Sequence, residues 1–180
     1  MDLIGERVWL RRARVEDAEA LAAAFSVPEI ARYTGPGLLL PETVEDRRRE
    51  IVAGATPAPD AMGWTVVDRS DGAVIGNTSV FQIDWLNRNC WFAITLGPPE
   101  RLSHGLGTEA VRLVTRFALR RLGMEKVRLA VYDGNDRGRR AYEKSGYVVE
   151  AERKRQHFLE GRMVSEFWMA AFRDHPLYRI

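Results

Sequence analysis

The chain has 180 residues, of which 46% are hydrophobic and 29% are charged, and its formal net charge is +2. This length and composition are typical of one globular domain, so we interpret residues 1–180 as a single domain. The balanced charge argues against a dedicated nucleic-acid binder, and no stretch approaches the 18 apolar residues of a transmembrane helix. We therefore expect neither nucleic acid nor membrane as a partner.

The single cysteine, Cys90, leaves no partner for an internal disulfide. The first residues, MDLIGERVWLRR, lack the apolar core of a signal peptide. Both observations predict a cytoplasmic protein. Cys90 lies in the apolar run CWFAITL, and we interpret it as a small buried residue rather than a nucleophile.

The first part of the chain predicts one strand followed by helices. Residues 7–12 alternate enough to predict a strand, and residues 13–26 place apolar side chains at helical spacing. Proline opens a second short helix within residues 27–33, and residues 42–53 predict a third. Between them, GPGLLLP has the glycine and proline content of a loop.

The remaining part predicts three strands between residues 63 and 97, with turns at Asp71-Gly72 and around Asn87-Arg88-Asn89. The later elements are an amphipathic helix over residues 105–122 ended by Gly123, a strand over 126–132, a helix over 136–145 ended by Gly146, and two strands around the turn Glu160-Gly161. This order predicts a mixed α/β domain. The strand-helix-strand unit predicts some parallel pairing.

The stretch RLSHGLGTEA, residues 101–110, contains the Gly-x-Gly-x-x-Ala spacing of a dinucleotide-binding turn. In such folds the first glycine ends the strand directly, and an acidic residue follows about 20 positions later, at the end of the next strand. Here PPERLSH separates the strand from Gly105, Glu125 precedes its strand, and Asp133 lies too far along. These flanks argue against a dinucleotide site, and the absence of Gly-Lys-Ser/Thr excludes a Walker A loop.

The residues themselves leave two interpretations of this stretch open. Free backbone N–H groups at a helix N-terminus form an anion site, and Gly105 and Gly107 would let a pyrophosphate approach the backbone. Thr108 would then cap the helix or contact a phosphate. Alternatively, the two glycines only relieve a tight turn from strand to helix.

A second segment, NDRGRRAYEKSGY at residues 135–147, follows the glycine stretch. Together the two segments resemble the GCN5-related N-acetyltransferase superfamily. Its acyl-CoA loop reads Arg/Gln-x-x-Gly-x-Gly/Ala at a helix start, and its next strand-to-helix unit carries Asn and then Tyr-Glu-Lys-x-Gly-Phe/Tyr. Further similar stretches are VWLRRARVEDAEAL, ITLGPPE and RKRQHFLEGRMVSEFWMAAF.

The resemblance is closest to the branch that includes the ribosomal-protein N-terminal acetyltransferases. It implies an α/β fold with a single mixed, mostly antiparallel sheet of about seven strands and flanking helices. A substrate-side half would span about residues 1–85, and an acetyl-CoA-binding half about residues 86–180. The expected assembly is a monomer or homodimer.

The implied activity is acetyl transfer from acetyl-CoA, a co-substrate, to a primary amine by direct attack in a ternary complex, without a metal. The acceptor would be a protein N-terminal α-amine or a small-molecule amine. Leu102 and Ser103 stand where the family usually has Arg or Gln and often Gly, while the nearby Arg101 and His104 would supply charge to the phosphates from different directions. These departures motivate an alternative, a non-catalytic acyl-CoA-binding regulatory module.

The resemblance also implies site residues. Tyr142 is the predicted catalytic residue beside the sulfur, as a general acid or hydrogen-bond donor. Asn135 would bind the pantetheine end and is also suited to cap its helix. The backbone around Thr95, Leu96 and Gly97 would pair with the pantetheine arm like an added strand. The predicted cofactor-binding residues are Thr95, Leu96, Gly97, Leu102, Ser103, His104, Gly105, Leu106, Gly107, Thr108, Asn135 and Arg140.

No sequence motif identifies the general base or the acceptor. The sequence offers Asp84, His157 and Glu166 as candidate general bases. An α-amine with a pKa of about 8 is neutral in roughly 10% of molecules at pH 7, against well under ~0.1% for a lysine amine, so the lack of an obvious base favours an α-amine. The acceptor pocket is expected to involve the GPGLLLP loop and the aromatic residues Trp64, Phe81 and Trp85, several of which would be core residues.

Overall fold

The computed structural model describes residues 1–34, 43–54, 58–102 and 104–179. The strands are β1 (Leu3–Ile4), β2 (Val8–Arg11), β3 (Met62–Asp68), β4 (Val74–Asp84), β5 (Asn89–Leu96), β6 (Lys126–Tyr132), β7 (Val148–Leu159) and β8 (Arg162–Phe172). The helices are α1 (Ala18–Phe25), α2 (Pro28–Ala31), α3 (Val44–Ala53), α4 (Leu106–Arg120) and α5 (Asp136–Lys144). Short 3-10 turns over Val15–Asp17 and Pro99–Arg101 precede α1 and α4.

All these strands form one sheet in the order β1-β2-β3-β4-β5-β6-β8-β7. Every neighbouring pair is antiparallel except β5 and β6, which are parallel and joined through α4. The predicted α/β fold with a single mixed, mostly antiparallel sheet is confirmed. The described residues contain eight strands rather than about seven, because the two-residue β1 is too short to show an alternating pattern.

Helices cover the sheet on both faces, as two adjacent residues of β3 show. The Trp64 ring lies edge-on to Phe117 of α4, with centroids 5.4 Å apart. The next side chain, Thr65, hydrogen-bonds with Asp17 at the start of α1. Because successive side chains of a strand point to opposite faces, α1 and α4 lie on opposite sides of the sheet.

A buried ion pair fixes the beginning of α1. The Arg11 guanidinium donates two hydrogen bonds of 2.7 Å to the Asp17 carboxylate, which also accepts the Arg14 backbone N–H. Burial disfavours the charge on Asp17, but the hydrogen bonds from Arg11 and from the Arg14 backbone outweigh it, so the pKa of Asp17 lies below its ordinary value. The carboxylate thus stays ionised and ties β2 to α1.

Strands β5 and β6 pair only at their beginnings. Their register runs from Asn89↔Lys126 to Trp91↔Arg128, while β5 continues to Leu96 and β6 to Tyr132. Beyond Trp91, β5 stays paired with β4 and β6 with β8. The two parallel strands therefore diverge and leave a gap in the middle of the sheet, which we call the β5–β6 gap.

The connection across this gap confirms the reasoning against a dinucleotide-binding turn. Strand β5 ends at Leu96, the 3-10 turn Pro99–Arg101 follows, and α4 begins only at Leu106.

The predicted helix ends at Gly123 and Gly146 are confirmed, since both adopt a positive φ just after their helices. No helix in the described part of the chain is long and apolar enough to cross a membrane.

Candidate active site

The β5–β6 gap opens into a cavity of about 550 Å³. Most of the residues predicted to bind acetyl-CoA line this cavity, together with the predicted catalytic residue: Thr95, Leu96, Leu102, Gly105, Gly107, Thr108, Asn135, Arg140 and Tyr142. The two sequence segments, about thirty residues apart in the chain, therefore meet at one place. Ser103 lies outside the described residues.

Three other predicted residues do not line the cavity with their side chains. His104 is exposed, and its carbonyl accepts a hydrogen bond of 2.9 Å from Arg7. The Leu106 side chain lies in the hydrophobic core. Gly97 packs against α1 and α2, where an added Cβ would lie 2.6 Å from Ile30 Cδ1. Leu106 can take part only through its backbone, because its side chain is held in the core.

The N-terminus of α4 presents free donors to the cavity. The first N–H groups of a helix have no acceptor within the helix, and α4 has no side-chain cap among the described residues. Gly105 precedes the helix with φ +85°, a left-handed conformation that favours glycine. An added Cβ at Gly107 would lie 3.2 Å from Leu96 Cδ1, so this glycine lets the helix approach β5 closely. We call residues 105–108 the α4 cradle.

Basic side chains of α5 complement this cradle. Arg137, Arg140 and Lys144 line the cavity. Arg139 is turned away and pairs with Glu143 at 3.1 Å. Of the four basic residues on this helix, three therefore face the cavity and favour an anion there.

Arg101, which the sequence offered as a nearby positive charge, is engaged elsewhere. Its guanidinium pairs with Asp71 at 2.7 Å and Asp68 at 3.2 Å, both at the β3–β4 turn. These ion pairs hold the connection before α4 against the sheet. The expectation that Arg101 supplies charge to a phosphate is therefore replaced by a structural role.

The register of β5 decides which of its backbone groups face the gap. The Gly97 N–H donates to the Ile75 carbonyl at 2.8 Å, so Gly97 is hydrogen-bonded to the β4 side. Because the pattern alternates in an antiparallel pair, Thr95 also faces β4, whereas Ile94 and Leu96 direct their N–H and C=O groups towards the gap. The predicted pairing segment Thr95, Leu96 and Gly97 is therefore corrected in part: Thr95 and Gly97 are engaged by β4, and Leu96 faces the gap together with Ile94, which was not predicted.

Tyr142 lies at the gap on the α4 side of the sheet. Its side chain is 9% exposed, and its ring lies edge-on to Phe92 with centroids 6.4 Å apart. Burial raises the pKa of Tyr142 to about 12. No group in the described ranges hydrogen-bonds to its hydroxyl, whereas the neighbouring Tyr147 hydroxyl pairs with Thr115 at 2.8 Å. The Tyr142 hydroxyl is thus protonated and available to a ligand.

Asn135 caps α5, as its position in the sequence suggested. Its Oδ1 accepts the Gly138 backbone N–H at 3.0 Å. An added Cβ at Gly138 would lie 2.9 Å from both Oδ1 and Nδ2 of Asn135, so glycine is needed there. The cap uses only Oδ1, and Asn135 also lines the cavity, so its Nδ2 donor remains for a ligand.

The opposite side of the gap is aromatic. Tyr33, Phe81, Trp91 and Tyr132 line the cavity there together with Glu29, and we call these five residues the acceptor mouth. The register of β5 and β6 brings Trp91 and Tyr132 to this site, which the apolar sequence runs around them did not reveal. Tyr33 is held in place because its hydroxyl donates to the Gly134 carbonyl at 2.9 Å.

Of the aromatic residues predicted for the acceptor pocket, only Phe81 lines the cavity. Trp64 is a core residue, as expected for some of this group. Trp85 is 51% exposed and donates to the Pro59 carbonyl, outside the cavity lining. The GPGLLLP loop lies outside the described residues.

The three candidate bases lie in different settings. Asp84 accepts the backbone and side-chain N–H groups of Asn87 in the β4–β5 turn, which lower its pKa. His157 and Glu166 form a pair with Nε2 and Oε2 2.5 Å apart, and the His157 ring stacks on Tyr132 with centroids 4.1 Å apart. None of the three lines the cavity, although the His157–Glu166 pair lies directly behind its wall.

Cys90 is fully buried, and burial raises its pKa to about 12. A thiol in this state is not a nucleophile at neutral pH. The interpretation of Cys90 as a small core residue is confirmed.

A protein-family model described as "Acetyltransferase (GNAT) domain" matches residues 7–148. An uncharacterized N-acetyltransferase, YoaA of Bacillus subtilis, is 25% identical over 158 residues, which is 87% of this chain and 88% of that protein. Spermidine N(1)-acetyltransferase of Escherichia coli K12 is 28% identical over 107 residues, which is 59% of this chain and 57% of that enzyme.

Solved structures share the fold. An acetyltransferase (GNAT family) from Bacillus anthracis superposes with a TM-score of 0.84 at 16% identity, covering 97% of this chain and 100% of that chain. Spermidine N-acetyltransferase from Vibrio cholerae in complex with CoA and spermine gives 0.82 at 19% identity, covering 95% and 98%. RimL, a ribosomal L7/L12 alpha-N-protein acetyltransferase in complex with coenzyme A, gives 0.83 at 12% identity, covering 96% and 98%.

The predicted ribosomal branch stays a prediction, because these neighbours include polyamine and ribosomal-protein acetyltransferases alike. The superfamily itself is shown by the match over residues 7–148. With its glycine cradle at a helix start and its diverging β5 and β6, the chain belongs to the GNAT family of N-acetyltransferases.

Proposed function

We propose that this protein transfers the acetyl group of acetyl-CoA to a primary amine by direct attack in a ternary complex. The observation that carries the proposal is the β5–β6 gap, where one cavity connects the α4 cradle and Tyr142 with the acceptor mouth. Such a passage lets two substrates meet from opposite faces of the sheet. Holding both reactants in place supplies a large part of the catalysis of a bimolecular reaction.

The residues present fit acetyl-CoA. The α4 cradle would bind the pyrophosphate through backbone N–H groups, with Arg137, Arg140 and Lys144 beside it. The backbone of Ile94 and Leu96 would pair with the pantetheine arm as an added strand. Acetyl-CoA supplies the activated acetyl thioester. Because the cradle acts through its backbone, Leu102 need not supply the usual basic or amide side chain.

In the proposed reaction the amine nitrogen forms the new C–N bond with its lone pair while the C–S bond breaks. The electron pair stays on sulfur, the amine loses one proton to water, and the sulfur gains one proton from solvent. Tyr142 donates a hydrogen bond to the departing sulfur. With a pKa of about 12 for Tyr142 and roughly 8.5 for a thiol, full proton transfer is uphill by ~5 kcal/mol, so the donor role fits better than the general-acid role.

The acceptor side would be built largely by the substrate-side half of the chain. Glu29, Tyr33 and Phe81 of the acceptor mouth come from residues 1–85, whereas Trp91 and Tyr132 of the mouth, the cradle and Tyr142 come from residues 86–180. This distribution supports the proposed division for the acetyl-CoA side, while both halves build the mouth. The names of the relatives suggest two acceptor classes, polyamines and protein N-termini.

The test is to titrate the purified protein with acetyl-CoA in a calorimeter and to measure thiol release with a panel of primary amines. We expect binding with one site per chain and release that depends on the amine. A protein that binds no acetyl-CoA would refute the proposal. Tight binding without turnover on any amine would support the non-catalytic regulatory module instead.

Asn135→Asp separates the two roles of Asn135. The aspartate keeps the capping oxygen but replaces the Nδ2 donor with a charged acceptor, so we expect the melting temperature to change little while KM for acetyl-CoA rises by at least about fivefold, the effect of losing one neutral hydrogen bond. Asn135→Ala should raise KM similarly and also lower the free energy of unfolding by about 1 kcal/mol. If KM is unchanged in both variants, Asn135 is only a helix cap.

A further inference from the structure

The acceptor mouth has rigid aromatic walls. The Trp91 ring packs edge-on against Trp168 with centroids 5.1 Å apart, and the Trp168 Nε1–H donates to Glu166 at 2.6 Å. Tyr132 is stacked on His157. Aromatic side chains that are already fixed offer a large contact surface at little cost in conformational entropy. The mouth is thus suited to an apolar or aromatic body next to the reacting amine.

The described residues of the mouth carry little free negative charge. Among the described residues lining the cavity, Glu29 is the only acidic side chain. Nearby, Glu160 pairs with Arg32 at 3.5 Å. Both carboxylate oxygens of Glu166 are engaged, by His157 and by Trp168. With one unpaired carboxylate among its described residues, the mouth does not offer the repeated charge contacts that a polycation such as spermidine would need.

Among the described residues, the mouth also presents no histidine or aspartate to the cavity as a proton acceptor. Glu29 lies on α2 at the surface. The amine must therefore reach the gap already neutral. At pH 7 an α-amine is neutral in roughly 10% of molecules, and an alkylamine with a pKa of ~10.4 in well under ~0.1%. This difference favours an α-amine by at least about a hundredfold.

We infer that the acceptor is the α-amine of an aromatic or large apolar amino acid, presented with its carboxyl group blocked, as at a peptide N-terminus or in an amino-acid amide. The α-amine enters the gap near Glu29, and its side chain packs on Phe81, Trp91 and Tyr132. This inference rests on the proposed acetyl-CoA-dependent activity and adds the class of acceptor.

The experiment compares five acceptors by thiol release with the wild-type protein: phenylalanine amide, a peptide beginning with phenylalanine, alanine amide, phenethylamine and spermidine. At pH 7 we expect kcat/KM for phenylalanine amide to exceed that for phenethylamine and spermidine by at least about a hundredfold. The ratio to phenethylamine should shrink to about twentyfold at pH 9, because the alkylamine deprotonates. Phenylalanine amide should exceed alanine amide by about tenfold. The peptide distinguishes a protein N-terminus from a free amide.

Two variants test the aromatic walls, with a matched control. Trp91→Ala and Phe81→Ala should reduce the preference for phenylalanine amide over alanine amide to about twofold or less, through loss of contact with the ring. Trp85→Ala removes an exposed tryptophan outside the mouth and should leave the preference unchanged. Phe81→Ala and the wild-type panel keep the test valid if Trp91→Ala does not fold.

Each outcome bears on a defined claim. If spermidine or phenethylamine is acetylated as efficiently as phenylalanine amide at pH 7, the inference is wrong while the proposed function stands. An unchanged preference in both Trp91→Ala and Phe81→Ala would also overturn it. If acetyl-CoA binds but no amine is acetylated, the proposed function fails and the inference fails with it.

Discussion

Tyr142→Phe should lower kcat by about a hundredfold, the usual cost of removing one positioned hydrogen-bond donor from a developing negative charge. KM for acetyl-CoA should change little, because the donor acts on the sulfur only as the C–S bond breaks. The measurement is thiol release at saturating amine over a range of acetyl-CoA concentrations. Since burial raises the pKa of Tyr142 to about 12, wild-type kcat should show no loss from Tyr142 ionisation up to about pH 10.

Tyr147→Phe is the matched control for this variant. Tyr147 is also buried, its ring centroid is 6.0 Å from that of Tyr142, and its hydroxyl pairs with Thr115 rather than facing the cavity. We expect it to lower the free energy of unfolding by about 1 kcal/mol and to leave kcat unchanged. If Tyr142→Phe retains full kcat, Tyr142 has no part in the mechanism.

Gly105→Ala should weaken acetyl-CoA binding by about thirtyfold, which corresponds to about 2 kcal/mol or one hydrogen bond to a charged group. Gly105 adopts φ +85°, which an alanine reaches only at a cost of roughly 1–2 kcal/mol. Its new methyl group would also lie 2.9 Å from Arg7 Nη1, which holds the His104 carbonyl. Both effects shift the α4 cradle, and calorimetric titration with acetyl-CoA measures the result.

Gly123→Ala separates this effect from general destabilisation. Gly123 adopts a similar φ of +73°, no atom lies within 4 Å of an added Cβ, and the residue is far from the cavity lining. We expect both variants to lose roughly 1–2 kcal/mol of unfolding free energy in denaturant titrations. Only Gly105→Ala should lose affinity for acetyl-CoA. Equal affinities in the two variants would show that the cradle conformation is not needed for binding.

Local patterns in the sequence were sufficient to predict the helices, the strand and the helix-start residues that form much of the site. The helix over 105–122, the strand over 126–132 and the helix over 136–145 agree with α4, β6 and α5 to within two residues. Gly105 and Asn135 were identified as helix-start residues, and both precede their helices. These features depend on backbone conformation and on hydrophobic spacing within a few turns, which the sequence encodes directly.

The contacts that depend on pairing between strands could not be predicted from local sequence patterns. The resemblance implied ligand pairing along Thr95, Leu96 and Gly97, but the register with β4 leaves only Leu96 of these facing the gap, together with Ile94. A shift of one residue in register exchanges every group on the two edges of a strand, and nothing local to β5 sets that register. Likewise, no local pattern indicated that Arg101 forms ion pairs with Asp68 and Asp71, which lie about thirty residues earlier in the chain.

The sequence by itself determined the order of elements, the glycine-led start of α4 and the capped start of α5, because these follow from interactions between near neighbours in the chain. The tertiary structure alone decided that β6 lies between β5 and β8 and that it pairs with β5 only as far as Trp91, which opens the gap. It also decided that Tyr33, Trp91 and Tyr132 meet there. Pairing between distant strands brings these residues together. Its free energy depends on the side chains of all the paired strands, so it cannot be deduced from any one segment of the sequence.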